Sequence, residues 1–186
     1  MLFRSEAGLT PGKDEFKSRI RMDQNPNMMR LRSRLMSDIR GNRKLGIMVA
    51  PISDRSRLGA VVLQGLAHFI DSNEIVDNSG VAFIDQGMFS SVKRAEKEAS
   101  KHSVLAAYEI NFEQDSRTVL GIQLADLAAH TCATMLLDQL GVIHKTVKAG
   151  ENSGYDPDMD LELGFSLWGQ LRYSFLRHKH PDRDSE

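Results

Sequence analysis

The chain of 186 residues has only one cysteine, Cys132, and no apolar run of the roughly 20 residues that cross a bilayer. A single cysteine excludes an internal disulfide, and the absence of a Cys-x-x-Cys pair argues against a zinc site. Residues 1–12 contain no apolar core followed by a cleavage site, so no signal peptide is expected. We therefore predict a cytoplasmic protein that makes no membrane contact.

The chain also lacks an excess of charge of either sign, because its formal net charge is -1. No long-range field selects a partner, yet residues 13–44 hold ten Lys or Arg against four Asp or Glu. This basic stretch, which includes Arg30 and Arg34, is consistent with a phosphate footprint on nucleic acid. It is equally consistent with the solvated face of a helix. Gly-rich phosphate loops and a serine nucleophile elbow are both missing.

The chain alternates between segments with helical periodicity and short apolar runs. This order predicts an α/β fold with right-handed crossovers and a mostly parallel central sheet flanked by helices. Three segments are expected to divide the chain: an irregular N-terminal segment, a core, and a C-terminal appendage with a charged tail, at residues 1–27, 28–143 and 144–186. The predicted strands are residues 45–50, 81–85 and 104–110. The predicted helices are residues 28–40, 57–70, 90–101, 116–140 and 161–176. Residues 161–176 also alternate as a strand would, so a strand is the other interpretation of that segment.

Three polar side chains stand close together on the apolar segment 116–140. A helix turns by about 100° per residue, so Gln123, Asp126 and His130 fall within roughly 60° of one another. A carboxylate in apolar surroundings is costly unless it is paired, hydrogen-bonded or bound to a metal. Asp126 is therefore expected to have a compensating partner, which is either a ligand or a structural hydrogen bond.

A second carboxylate, Asp85, closes the apolar run 81–84 and is followed by Gln86 and Gly87. Ligands gather at the carboxyl ends of parallel strands, whereas Asp also caps turns, and both readings stay open. Asp85 and Asp126 together are suited to a shared Mg²⁺ or Mn²⁺ ion, because these cations prefer oxygen ligands. Such an ion supports hydrolysis of a phosphodiester.

The strand ending in Asp85 and the helix carrying Gly121-Ile122-Gln123-Leu124-Ala125-Asp126 resemble the family known as domain of unknown function 3800. That resemblance implies a ribonuclease H-like three-layer fold in which acidic residues hold metal ions. By position, Asp85 is similar to the acid on a later strand, and Asp126 is similar to the acid on the last core helix. Gln123 belongs to the same motif, and we expect it to orient a ligand or a water molecule.

The resemblance is incomplete at the N-terminal end. Members of that family open with a strand that ends in an Asp-Glu-Ser-like motif, and residues 1–12 contain no such strand. We expect an N-terminally incomplete sheet whose free edges favour a homodimer. Two functions follow: a metal-dependent nuclease-like domain, or a catalytically inactive, dimeric interaction protein on a nuclease-like scaffold.

Overall fold

A computed structural model describes Thr10, Arg34 and residues 36–41, 44–72, 79–149 and 154–176. The chain divides into two compact units. The central unit contains Gly46–Gln123 together with Leu176–Glu186, and the terminal unit contains Met1–Leu45 together with Leu124–Phe175. The predicted irregular segment 1–27, apart from Thr10, and the charged tail 177–186 lie outside the described residues.

The central unit is built on two parallel strands, β1 (Gly80–Asp85) and β2 (Tyr108–Gln114). β1 contains Val81, Phe83 and Ile84, and β-branched and aromatic residues suit a pleated strand. Helix α1 (Leu58–Asp71) precedes β1, and helix α2 (Val92–Ala99) connects β1 to β2. Two short 3₁₀ helices, Ile52–Arg57 and Ser103–Ala107, complete the unit. The mixed α/β class is therefore confirmed, with a small parallel sheet of two strands.

One face of this small sheet carries the core of the central unit. Alternate residues of β2 pack against a buried cluster from α1 and the second 3₁₀ helix, because successive side chains of a strand point to opposite faces. The cluster contains Leu63, Ala67, Ile70 and Leu105, with Tyr108, Ile110 and Phe112 packed against it. Phe112 meets Phe89 edge to face, with ring centroids 5.8 Å apart.

The pairing of β1 with β2 contains one irregularity, near the carboxyl end. Phe83 pairs with Asn111, but Asp85 pairs with Gln114, so β2 has one extra residue between the two pairs. An extra residue of this kind is a β-bulge, which re-aims the side chains around it. Glu113 lies in the bulge with a positive φ of 54°. The bulge therefore changes the direction of side chains at the edge where β1 ends.

The terminal unit is built around helix α3 (Leu120–Gln139), which contributes its residues from Leu124 onward. Strands β3 (Thr146–Lys148) and β4 (Asp160–Glu162) form an antiparallel pair, and helix α4 (Leu163–Leu171) follows directly. The buried cluster of this unit joins α3, α4 and the helical residues 36–41. It contains Met36, Ile39, Leu127, Ala128, Met135, Leu167 and Leu171.

Residues near position 174 fix the end of the terminal unit to its first helical residues. The buried Ser174 hydroxyl donates to the Ile39 carbonyl at 3.1 Å, and the Leu45 amide donates to the Ser174 carbonyl at 2.7 Å. Leu45 also forms an isolated parallel bridge with Phe175. Segment 144–176 therefore supplies core residues and main-chain bonds to the same unit as α3.

Two predicted strands are corrected. Residues 46–50 have no regular structure, and Val49 is 71% exposed, so an apolar run without a partner strand did not form a strand. The strand predicted at 104–110 starts later, at Tyr108, because residues Ser103–Ala107 form a 3₁₀ helix. The predicted strand 81–85 and the long helix are present. The strand was expected to be buried, but Val81 and Phe83 are 55% and 48% exposed.

Within the described part of the chain, one helix, α3, is long and apolar enough by length and composition to cross a membrane. The core helix of a soluble protein passes the same test, and α3 contributes Leu127, Ala128 and Met135 to a buried cluster. The helix also carries Asp126 and His130 along its length. This is weak evidence for a span, and the absence of membrane contact stays a prediction.

Candidate functional site

The carboxyl edge of the β1–β2 pair contains three acidic residues of the central unit. Asp85 is the last residue of β1, and its exposed carboxylate Oδ1 accepts the Gln86 amide at 3.0 Å. The same amide also donates to the Gln114 carbonyl at 3.2 Å. Asp85 thus takes part in the turn that follows the strand. A carboxylate has lone pairs on both oxygens, so the bond to the Gln86 amide is compatible with further partners.

Glu113 is the residue that the sequence analysis missed at this edge. Its Oε2 accepts the main-chain amide of Gly87 at 3.1 Å, which ties the bulge of β2 to the turn after Asp85. Gly87 has a φ of +79°, a conformation that glycine adopts without steric cost. The Glu113 carboxylate is therefore held beside the residues that directly follow Asp85.

The other carboxylate oxygen of Glu113 is unusual. Oε1 is buried and has no hydrogen-bond partner among the described residues. An unsatisfied buried polar atom costs about 1–3 kcal/mol, and a non-glycine residue at positive φ costs a similar amount. Stability alone does not explain a carboxylate kept in this position, and such outliers cluster at ligand sites.

A third acidic residue near this edge, Asp115, is already neutralised. Its carboxylate receives the Arg117 guanidinium in a two-pronged arrangement, with Nη2 to Oδ2 at 2.6 Å and Nε to Oδ1 at 3.0 Å. Bidentate pairs of this type are the stronger class of charged hydrogen bond. Glu113 is therefore the carboxylate of this edge that has a buried oxygen without a hydrogen-bond partner among the described residues.

Asp126 lies on α3 in the terminal unit, whereas Asp85 lies in the central unit. Asp126 was expected to have a compensating partner because its segment is apolar, but Asp126 is exposed, as is His130. Water solvates the charge, so Asp126 needs no compensating partner. Within the described residues, no Lys or Arg forms an ion pair with it.

Gln123 occupies a different environment from Asp126, although both lie on α3. Its side chain is 1% exposed, and Nε2 donates to the carbonyl of the buried Ser116 at 2.6 Å. This bond ties the first turns of α3 to the segment that leads into the helix. The amide of Gln123 therefore has a structural partner within the central unit.

A metal site made by three or more side chains is not found in the described part of the chain. Mg²⁺ and Mn²⁺ need fewer, because Mg²⁺ keeps several water ligands and binds through one or two carboxylates plus substrate phosphates. Asp85 and Glu113 have the oxygen donors that such an ion prefers. The unpartnered Oε1 fits this requirement, since a cation would satisfy it.

Two arginines were expected to contact nucleic acid. Arg34 is helical and exposed, which suits a surface contact, and Arg30 lies outside the described residues. Glu113 was missed because the strand was ended at Ile110. The alternation of Tyr108, Ile110 and Phe112 continues two residues further and would have placed Glu113 at the strand's end.

Comparison with known proteins provides no further support for this site. The likeness to the family named above rests on the residues quoted for it. No protein-family model, no curated protein and no solved structure matches this chain.

Proposed function

We propose that this chain is a metal-dependent, nuclease-like domain that hydrolyses phosphodiesters with Mg²⁺ or Mn²⁺. Asp85 and Glu113 hold the ion in the central unit, and Asp126, which the family resemblance indicates, is tested as a separate candidate. The fold in this proposal is a ribonuclease H-like arrangement, of which β1, β2 and α3 are the parts that carry the acids. Glu113 is added to the two acids that the sequence indicated.

The observation that supports this proposal most strongly is the state of the Glu113 carboxylate. One oxygen binds the Gly87 amide, and the other is buried without a partner beside the turn that follows Asp85. A protein tolerates a combined cost of a few kcal/mol at one residue when the residue has a function. A divalent cation at Oε1 would remove the part of that cost that comes from the unsatisfied oxygen.

Asp126 enters the proposal through the family resemblance and through its own surroundings. It is exposed, and no described Lys or Arg neutralises it, so its carboxylate has capacity for a ligand. Gln123 has a different role from the one expected. Because its amide binds the Ser116 carbonyl, we assign it as a positioning residue that holds the start of α3.

The chemistry follows from the donor set. A bound divalent ion supplies a Lewis acid for a phosphoryl oxygen and lowers the pKa of a bound water. The carboxylates of Asp85 and Glu113 fix the position where the scissile phosphate arrives. The turn residues 86–87, held by Glu113 and by the Gln114 carbonyl, keep these two acids in place. Preorganised groups of this kind lower the barrier because they need no rearrangement during the reaction.

The test is calorimetric titration of Mn²⁺ into the purified chain and three variants, Asp85→Asn, Glu113→Gln and Asp126→Asn. We expect binding to the unaltered chain and a loss of at least ten-fold in affinity in Asp85→Asn and Glu113→Gln, and Asp126→Asn shows whether Asp126 is a ligand. Glu109→Gln is the matched control, because Glu109 is an exposed carboxylate on the same strand. The second measurement is cleavage of labelled single-stranded and double-stranded nucleic acid in the presence of Mn²⁺.

Absence of Mn²⁺ binding to the unaltered chain would overturn the catalytic proposal. Loss in Asp85→Asn and Glu113→Gln with full binding in Asp126→Asn would remove Asp126 from the site and leave the edge of the sheet as the metal centre. An equal loss of Mn²⁺ affinity in Glu109→Gln would show that the negative charge of the strand, rather than the specific position of Glu113, explains binding.

The alternative, a non-catalytic homodimer on the same scaffold, is favoured by one observation. On β1, Val81 and Phe83 are 55% and 48% exposed, although parallel sheets are usually covered on both faces. Sedimentation equilibrium of the unaltered chain and of Phe83→Ser tests it. A dimer that dissociates in the variant supports the alternative, and a monomer at all concentrations rejects it.

A further inference from the structure

We propose that the exposed face of α2 binds the phosphate backbone of a nucleic acid. This face, formed by Lys93, Arg94 and Lys97, is named the α2 basic surface. The proposal rests on the proposed function, because it names the substrate class of the same site. It assigns the main phosphate contact to a helix other than the one that carries Arg34.

The three side chains share one side of α2. At about 100° per residue, Lys93, Lys97 and Arg94 lie within an arc of roughly 100°. All three are exposed, whereas Ala95 on the opposite side is buried, with a relative exposure of 0%. The two lysines are one helical turn apart, which is about 6 Å along the axis. The surface is therefore a short row of cations that faces water.

The acidic residues of α2 do not cancel this row. Glu96 lies outside the arc, about 60° beyond Lys93. Glu98 forms an ion pair with Lys101, and the Lys101 ammonium holds the pKa of the Glu98 carboxyl below its usual range. Lys93 and Lys97 form no ion pair within the described residues, so both are available to an anion.

The position of α2 links this surface to the metal edge. Residues 86–91 lead from Asp85 to the start of α2, so the helix begins on the side of the sheet where β1 ends. Arg94 Nη1 donates to the Ser90 hydroxyl in this connection at 3.5 Å, and Ser91 caps the helix through the Arg94 amide at 3.3 Å. A nucleic acid whose scissile phosphate lies at Asp85 would have neighbouring phosphates within reach of Lys93 and Arg94.

The composition of the surface favours a nucleic acid over a lipid bilayer. A helix that lies on a membrane buries an apolar face among the lipids. The apolar side of α2 is already used, since Ala95 is buried and Ala99 packs against the core cluster of the central unit. Contacts made only to phosphates carry no sequence information, so we expect binding without sequence preference.

The experiment measures fluorescence anisotropy of a labelled single strand of mixed sequence, with EDTA present, over a series of salt concentrations. EDTA removes divalent ions, so failure here is separate from failure of the Mn²⁺ titration. The test variant is Lys93→Gln/Lys97→Gln, and Lys145→Gln/Arg172→Gln is the control with the same change of net charge. Lys145 and Arg172 are both exposed and lie in the terminal unit.

Each phosphate contact to a single strand contributes about 0.7 to the slope of log affinity against log salt. We expect the slope of Lys93→Gln/Lys97→Gln to be shallower by about 1.4, with unchanged thermal stability, and the control slope to match the unaltered chain. Three results would overturn the proposal: no binding by the unaltered chain, equal slopes in both double variants, or binding to phosphatidylserine vesicles and not to the strand.

Discussion

The Oε2 oxygen of Glu113 accepts the main-chain amide of Gly87 at 3.1 Å, although the two residues are 26 positions apart in the sequence. Both residues have positive φ angles, 54° for Glu113 and 79° for Gly87. Glycine adopts this conformation freely, whereas glutamate does so at a cost. The contact thus joins a turn of low strain to a residue under strain, next to the last residue of β1.

This strain gives a first prediction, for Glu113→Gly. We expect the free energy of unfolding to stay the same or to rise by up to about 1 kcal/mol, because glycine relieves the backbone and removes an unsatisfied buried oxygen. Mn²⁺ binding is expected to be lost in the same variant. Glu109→Gly, on the same strand without a positive φ, should lose about 0.5–1 kcal/mol and keep the metal. Urea unfolding and calorimetry measure the two quantities. A strongly destabilised Glu113→Gly would mean that the carboxylate serves the fold.

A second prediction concerns the role of Gln123. Replacing it with alanine leaves the buried Ser116 carbonyl without its 2.6 Å partner, so we expect a loss of about 1–3 kcal/mol in stability. Mn²⁺ affinity, measured well below the melting temperature, should be unchanged. Gln139→Ala, at an exposed position of the same helix, is the control and should have little effect. Unchanged stability together with lost Mn²⁺ binding would instead restore the ligand-orienting role that the sequence suggested.

A third prediction uses two glycines of α4. A Cβ atom at Gly164 would lie 2.6 Å from Oδ2 of Asp138, the oxygen that accepts the Gly164 amide at 2.8 Å. Gly164→Ala should therefore cost about 1–3 kcal/mol. Gly169 has nothing within 4 Å of an added Cβ, so Gly169→Ala should gain up to about 1 kcal/mol from helix propensity. Thermal unfolding followed by circular dichroism separates the two, and similar melting temperatures would contradict the close contact at Asp138.

A fourth prediction concerns the single thiol. Partial burial raises the pKa of Cys132 above its ordinary value, because desolvation disfavours the thiolate. We expect a disulfide reagent such as DTNB to react more slowly with the folded chain at mildly alkaline pH than with the chain in guanidinium. Since the unfolded thiol ionises first as pH rises, stability should fall as pH passes through its ordinary pKa. Equal rates in the two states would exclude this burial, and Cys132→Ala should show no reaction in either.

The long, regular elements were predictable because their pattern is local. The apolar run before Asp85 became β1, and the periodic apolar segment became α3, each within a few residues of the expected bounds. The segment starting at Leu161 satisfied both of its interpretations, since a three-residue strand continues directly into α4. Propensity and periodicity are enough to identify such elements.

The candidate site was less predictable because it depends on pairing between distant residues. The bulge that holds Glu113 arises from the register of β2 against β1, and no local pattern around Glu113 encodes a positive φ. The exposure of Asp126 depends on which side of α3 meets other helices, and an apolar helix does not reveal this alone. Sequence reasoning therefore identified the acids on regular elements and missed the one that tertiary pairing positions.

The two ends of the terminal unit are far apart in the order of synthesis. The Ser174 hydroxyl closes onto the Ile39 carbonyl across 135 positions, while residues 46–123 belong to the central unit. At about 5–20 residues per second, a ribosome needs roughly 3–10 s to pass from residue 123 to residue 175. The central unit can thus gain structure on the ribosome before the residues that pack against helical residues 36–41 are synthesised. We expect pulse proteolysis of nascent chains arrested beyond residue 123, and of chains arrested beyond residue 175, to show that the central unit is protected first.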